Sequence, residues 1–593
     1  VELGFMADDE TPRDPRWAIP LAVVGAILLA VTWYWAQPTL IAFGLIAGVI
    51  FIVMGVFYLG LSYTGSGSKL YGLKPLTTRM PAVSQPKGHV HFRTKLFWTI
   101  AVLLMYFLLT NIFLFGVDQA TVIDLFASYR AILAGAQGTL MHLGIGPIVT
   151  GSIIMQLFTG AKIINLDLTD DEDKGTYQGT QKVLVIAMIL VEAVPQVYGY
   201  LTPSASIVTS LGNASPGNGL LLANTIIIAQ LVFGSYLVFL MDEVVSKWGI
   251  GSGISLFIAA GVSQQIVQGT LNWVPQNPSL AISATNPPSG TIPKSLWFFT
   301  HYSASQMASG GWEQVLLRQP NPIVALIGTA AIFFLVAWTE STRIELPLSH
   351  AEARGARGRY PLRLIYASNI PVILMSALLA NVSLFSILLW SNSTLSRFPI
   401  FGHQWWVGSY PSAAQATLLG VSQTQPLTGG AYYLSTVNGL ESWLLPILNF
   451  QTYGGFLYGH AWWQGLIHVA VYFTAMVCGS ILFAKFWIQT TNMGPEAVAR
   501  QIEASGMQIP GFRREPRVLR RVLERYIPVI TVISGAAVGA LAAGADLIGT
   551  LGNASGTGVL LMVGIIINLY EAMGREQLME MNPLLRRFLG GES

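Results

Sequence analysis

Charge is what this chain has least of. Lys, Arg, Asp and Glu make up 10% of its 593 residues, where an average soluble domain carries about 25%. That is too little to cover the surface of a soluble protein of this size. Disorder is excluded too, because disordered chains are poor in apolar residues and this one is 52% hydrophobic. One cysteine, Cys478, is present, so no intramolecular disulfide and no multi-cysteine metal site can form. It lies in an apolar run and reads as a small buried hydrophobe. No G-x-x-x-x-G-K-[ST] loop exists, so the chain has no P-loop ATPase of its own. No H-E-x-x-H occurs, and His89 and His91 have no third ligand close in sequence. Ser252, between Gly251 and Gly253, lacks the flanking pattern of a nucleophile elbow. Nothing in the pattern calls for a cofactor or for enzymatic chemistry, and a net charge of +3 says little about partners.

Long apolar runs are abundant instead. A helix crossing the hydrocarbon core needs roughly 20 mostly apolar residues. Twelve segments qualify: Trp17–Gln37, Thr39–Tyr63, Leu96–Val117, Gly144–Ala161, Val183–Tyr200, Gly219–Met241, Gly249–Gly269, Ile323–Thr339, Leu364–Trp390, Gly465–Phe483, Ile527–Leu547 and Gly556–Tyr570. The fold class is an all-α polytopic membrane protein. The first run is too long for a cleavable signal peptide, and a second span follows at once.

Lys and Arg concentrate on the cytoplasmic side of membrane proteins. With a cytoplasmic N-terminus, only Arg130, Lys294, Arg318 and Arg397 of the 32 basic residues fall outside. Both chain ends are then cytoplasmic, in a multi-pass protein of the cell membrane. Two outer loops, Leu271–Pro320 and Ser391–His460, are long, aromatic and poor in charge, which suits a folded or interfacial cap.

Ion-coupled transporters usually carry acids or bases deep inside their spans. Here the mid-span charge is essentially Glu192. It reads as a structural residue bonding to a neighbouring helix, with a proton site as the alternative. The scarcity of intramembrane charge disfavours an inverted-repeat solute transporter, and the missing catalytic constellations disfavour a membrane enzyme.

Six motifs occur in order: Gly144-Ile145-Gly146-Pro147-Ile148-Val149-Thr150; Val244 to Ile254, containing Lys247-Trp248-Gly249-Ile250-Gly251-Ser252-Gly253; Arg343-Ile344-Glu345-Leu346-Pro347-Leu348; Tyr366-Ala367-Ser368-Asn369-Ile370-Pro371-Val372-Ile373-Leu374; Gly511-Phe512-Arg513-Arg514; and Gly556-Thr557-Gly558-Val559-Leu560-Leu561. The set resembles the SecY family, the pore subunit of the Sec protein-translocation channel, and most of all its archaeal form. The resemblance runs from about Leu76 to the C-terminus. It implies a ten-helix core of two pseudo-symmetric five-helix halves, 69–270 and 321–593, joined by an external loop, 271–320. A path at the interface of two such halves is physically familiar.

The resemblance also implies site residues. Ile145, Val149, Ile254, Ile258, Ile373 and Leu561 match an aliphatic pore ring. Such a constriction dewets and blocks ions, and it offers a chain in transit no hydrogen-bonding partner. The stretch from about 124 to 138 matches a displaceable plug. Gln156 and Asn381 match polar positions of a lateral gate. The basic loops 340–363 and 485–526 match ribosome-docking loops, with Arg354, Arg357, Arg359 and Arg363 in the first and Arg513 and Arg514 in the second; clustered arginine suits ribosomal RNA phosphate. The implied partners are a SecE-type gamma subunit, a small one-span beta subunit, the ribosome, signal sequences and nascent chains as substrates, and membrane lipid. Residues 1–68 depart from the family pattern: they form an extra transmembrane hairpin whose small residues, Gly25, Ala26, Gly44, Gly48 and Gly55, permit close helix contact. It is expected to pack away from the lateral gate.

Overall fold

The computed structural model describes residues 83–86, 90–118, 132–160, 171–199, 201–214, 217–275, 280–318, 320–350, 357–363, 369–391, 407–412, 425–491, 493–504, 507–508, 516–552 and 554–581, with Thr77, Gly88, Arg130, Ile164 and Gln415 as isolated positions. The N-terminal hairpin expected at 1–68 lies outside the described residues, as do Arg354, Arg513, Arg514 and residues 124–129 and 131 of the expected plug.

The first half contains α1 (Phe92–Leu109), α2 (Gly146–Gly160), α3 (Asp171–Gly199), α4 (Ala205–Ala214), α5 (Gly219–Trp248) and α6 (Gly253–Leu271). An outer segment follows, built on α7 (Thr291–His301). The second half contains α8 (Ile323–Ser341), α9 (Ile370–Ser391), α10 (Trp462–Thr490), α11 (Pro495–Ala504), α12 (Pro516–Ile548) and α13 (Gly556–Met581). Among the described residues nine helices are long and apolar enough to cross a membrane. The tenth, α2, has 15 residues, about 22 Å at 1.5 Å per residue, and completes five crossings in each half.

Several helices outrun their apolar stretches. The run Val183–Tyr200 belongs to a helix that begins at Asp171. The run Ile527–Leu547 belongs to one that begins at Pro516. Conversely, the run Leu96–Val117 is helical only to Leu109: the Thr110 and Asn111 side chains donate to Phe107 O, 2.8 Å each, and the chain leaves the helix there.

Both described ends of the loop from 343 to 363 are strands. Strands β1 (Arg343–His350) and β2 (Arg357–Arg363) pair antiparallel, with Pro347 opposite Arg359 and Ser349 opposite Arg357. A third strand, β3 (Met507–Gln508), comes from the second basic loop and joins the free edge of β1, with Ser349 opposite Gln508. The helical membrane body thus carries a small sheet that ties its two basic loops together.

Cys478 is exposed on α10 rather than buried. In an apolar transmembrane helix an outward side chain meets lipid, so a small hydrophobe fits there as well as in a core. The outer segment is stapled by Lys294, whose fully buried Nζ donates to the carbonyls of Arg318, at 2.6 Å, and Pro320, at 3.0 Å. Burial lowers its pKa to about 8, against a smaller opposing pull from Glu441.

Candidate functional site: an apolar constriction beside a polar seam

The central core cluster brings together residues far apart in sequence. Ile145 precedes α2 and Val149 lies on its first turn. Ile254 and Ile258 sit one turn apart on α6, Ile373 lies on the first turn of α9 and Leu561 lies on α13. Five of these six are buried and Ile254 is partly buried against the same cluster. The turn into α6 needs its glycines: Gly251 has φ +82°, and a Cβ on Gly253 would meet Asp242 Cα at 2.5 Å. Asp242 Oδ1 then accepts from the Ile254 N–H at 2.9 Å, fixing the helix start.

The segment just before α2 folds back onto this cluster. Ile132 and Ala134 are buried within it. Ile145 N–H donates to Leu133 O at 2.8 Å, and Tyr106 Oη, on a ring stacked against Phe257, reaches Ala134 O at 3.3 Å. Gly144 has φ +57°, and a Cβ there would sit 2.1 Å from Leu133 O. Only glycine permits this approach.

The seam lies where α2 and α3 meet α9 and α10. Asn381 Nδ2, on α9, donates to Thr150 Oγ1 on α2 at 3.3 Å and to Ala377 O at 3.0 Å. Thr150 Oγ1 in turn donates to Glu192 Oε1 on α3 at 3.0 Å. Glu192 therefore bonds to a neighbouring helix, as its isolation in the sequence suggested. Gln156 lies on α2 two turns beyond Val149, and its Oε1 is buried without a hydrogen-bond partner. The structure thus joins Asn381 to Thr150 and Glu192. Thr150 ends the first sequence motif, yet nothing in the motif points to a bond across the seam; its one hydroxyl proton is shared between Glu192 Oε1 and Gly146 O, the latter at 2.9 Å.

Of the arginines expected to dock a partner, Arg357, Arg359 and Arg363 are placed, all at odd positions of β2.

The fold defines a multi-pass helical membrane protein in which six aliphatic side chains from separate helices meet in one core cluster, with a polar seam beside it. The comparisons with known proteins bear on the fold and the family. The SecY family model matches residues 139–570, and that of the plug domain of Sec61p matches 104–138. The protein translocase subunit SecY of Archaeoglobus fulgidus is 45% identical over 529 residues, covering 89% of this chain and all of the relative. The SecY of Halobacterium salinarum is 44% identical, covering 87% and 98%. A solved structure of a protein-conducting channel superposes with a TM-score of 0.65 at 36% identity, over 87% of this chain and 99% of that one. Sec61 in the canine ribosome-channel complex gives 0.62 at 36%, with the same coverage. The chain belongs to the SecY family.

Proposed function

We propose that this chain is the central subunit of a protein-conducting channel in the cytoplasmic membrane, passing unfolded polypeptide outward and releasing apolar signal helices sideways into lipid. The observation that carries the reading is the convergence of six aliphatic side chains from separate helices in one core cluster. An aliphatic gasket blocks ions without gripping any particular sequence. The segment around Arg130–Gly138, seated on the cluster, is the end of the plug. The Asn381–Thr150 contact is part of the lateral gate, with Gln156 further along the same helix. The domains follow the sequence: a hairpin at 1–68, halves at 69–270 and 321–593, and an outer loop at 271–320. Both termini are cytoplasmic, as the distribution of Lys and Arg requires.

The chain is a passive conduit rather than an enzyme, and the ribosome supplies the drive. A relative in a ribosome-channel complex supports this partner. So does the sheet linking the two basic loops, which carry Arg354, Arg357, Arg359, Arg363, Arg513 and Arg514; contact with ribosomal RNA phosphate would weaken steeply with salt. A SecE-type subunit fits an open apolar groove of about 600 Å³ between α1, α6 and α13, lined by Leu103, Phe107, Leu256, Val267 and Ile566. A helix laid there touches both halves. A one-span beta subunit completes the complex.

The decisive experiment reconstitutes the complex with a stalled ribosome bearing a signal sequence and crosslinks the nascent chain to the six ring positions. Crosslinks to several are expected; crosslinks to none would overturn the reading. Ribosome binding that survives charge reversal at Arg513 and Arg514 would remove those two from the contact.

A further inference from the structure

The six ring residues sit on or beside four helices, α2, α6, α9 and α13. Aliphatic side chains alone do not set how far a helix stands along its axis or how it is turned. Their attraction is non-directional, so a helix held only by them slides or rotates at small cost. One buried polar contact removes that freedom, as a single polar residue in an apolar helix interface fixes its register. At the ring, that contact has the same chemistry on all four helices.

Each helix donates to a carboxylate of a neighbouring helix within one turn of a ring residue. On α2, Thr150, next to Val149, donates to Glu192 Oε1 of α3 at 3.0 Å. On α6, the N–H of Ile254, itself a ring residue, donates to Asp242 Oδ1 of α5 at 2.9 Å. Asn369, immediately before α9 and one turn before Ile373, donates from Nδ2 to Glu340 Oε1 of α8 at 2.9 Å. Thr557, on α13 and one turn before Leu561, donates from Oγ1 to Asp546 Oδ2 of α12 at 2.9 Å and from its N–H to Oδ1 at 3.3 Å. Tyr472 of α10 donates to the same Oδ2 at 2.7 Å. Glu192, Glu340 and Asp546 are buried, and Asp242 is partly buried. In a chain that is only 10% charged, four acids thus recur at equivalent places. Helix formation does not call for them: Glu340 and Asp546 lie in the last turn of their own helices, where the helix dipole opposes a carboxylate.

We infer that Glu192, Asp242, Glu340 and Asp546 are positioning residues, one for each ring-bearing helix, that fix its height and rotation so that the aliphatic side chains meet; this rests on the ring reading proposed above. The donors are neutral hydroxyl, amide and backbone groups, so the acids act through acceptor geometry rather than through charge. A buried donor that loses its acceptor carries a large cost, and the helix that bears it turns or slides to find another. Its ring residue then leaves the constriction, although nothing in the ring itself has changed.

The test is resting chloride permeability of proteoliposomes carrying the reconstituted complex, measured for Asp546→Ala in two backgrounds. With the ring intact, Asp546→Ala should raise permeability about tenfold, the equilibrium equivalent of one charge-assisted bond lost. Asp546→Asn, which keeps an acceptor, should restore the seal. In a ring already widened by Leu561→Ala, Asp546→Ala should add nothing further, because the side chain it positions is gone. Asp242→Ala, which acts on another helix, should still add its own increment there. A merely structural role gives Asp546→Ala the same increment in both backgrounds, and that result overturns the inference. An Asp546→Asn channel that leaks like the alanine variant overturns it too. If Asp546→Ala does not fold, Thr557→Val removes the hydroxyl from the opposite side of the contact; it must leak only where Leu561 is present, and an equal increment without Leu561 overturns the inference. A Leu561→Ala channel as tight as wild type would instead refute the ring reading on which the inference stands.

Discussion

The two halves meet along two seams, and the seams are built differently. Across the first, Asn381 reaches Thr150 through a neutral hydrogen bond of 3.3 Å. The second joins α1 and α6 to α13. There, Lys95 Nζ meets Glu576 Oε1 at 2.7 Å, and the Phe92 N–H donates to Glu580 Oε1 at 2.7 Å. Backbones also touch: a Cβ on Gly269 would lie 2.7 Å from Gly552 N. A neutral interhelical bond in a membrane is worth about 0.6–2 kcal/mol; a charge-assisted one at a half-buried site is worth about 1.5–3 kcal/mol. The first seam carries a neutral bond within reach of an apolar competitor, and the second carries charge-assisted ones. The contrast predicts that the first seam parts while the second holds.

The largest predicted effect strikes the opening side. Gly144→Val forces a side chain into Leu133 O at a left-handed backbone position, at a cost of about 3 kcal/mol. The plug segment should lose its seat on Ile145, and resting ion conductance in planar bilayers should rise; unchanged conductance would mean that this segment does not seal. Next is the holding side. Lys95→Glu places like charges together and should lower the stability of the complex by about 2 kcal/mol, with recovery in the swapped pair Lys95→Glu, Glu576→Lys. A swap that recovers nothing in a thermal-shift assay would show that the clasp does not hold the seam.

Smaller changes sharpen the contrast. Asn381→Leu removes about 1 kcal/mol from the closed seam and should lower the signal hydrophobicity needed for insertion. Gln156→Leu should shift it less, since Gln156 Oε1 has no partner to lose. An unchanged threshold in both would remove these two from the gate. The smallest effect concerns Lys294, whose staple holds the 318–321 turn; within it, Asn321 Oδ1 accepts from Gly552 N–H at the outer end of the holding seam. Because burial lowers its pKa from 10.5 to about 8, the charged form is disfavoured in the fold. Its penalty is full below pH 8 and fades as pH rises toward about 10.5. Hydrogen exchange in residues 291–321 should therefore slow, relative to intrinsic rates, across that window. Protection that falls instead would contradict the burial argument.

Much of this was legible in the sequence because hydropathy is a local signal. Runs such as Gly219–Met241 and Ile323–Thr339 announce themselves, and their order carries the family motifs. What escaped was non-local or polar. The strand pairing of Ser349 with Gln508 joins positions far apart, neither in an apolar run. Thr150 and Asn381 are 231 residues apart, and nothing in either neighbourhood names the other. The polar extensions of α3 and α12 carry no apolar signature, although a helix continues readily past the bilayer where charged residues favour it.

The long helices flanking the opening seam have a mechanical meaning. α3 and α10 each have 29 residues, about 43 Å of rigid rod against roughly 30 Å of hydrocarbon. They stand on opposite sides of the opening seam and project at the end that bears the basic loops. At their bases Lys182 of α3 pairs with Glu243 of α5, and Ala484 and Ile488 of α10 pack with α11 and α12. Each rod is thus braced within its own half. A crosslink between residues 174 and 485 short enough to keep the two rods from spreading should stall insertion without disturbing the closed pore.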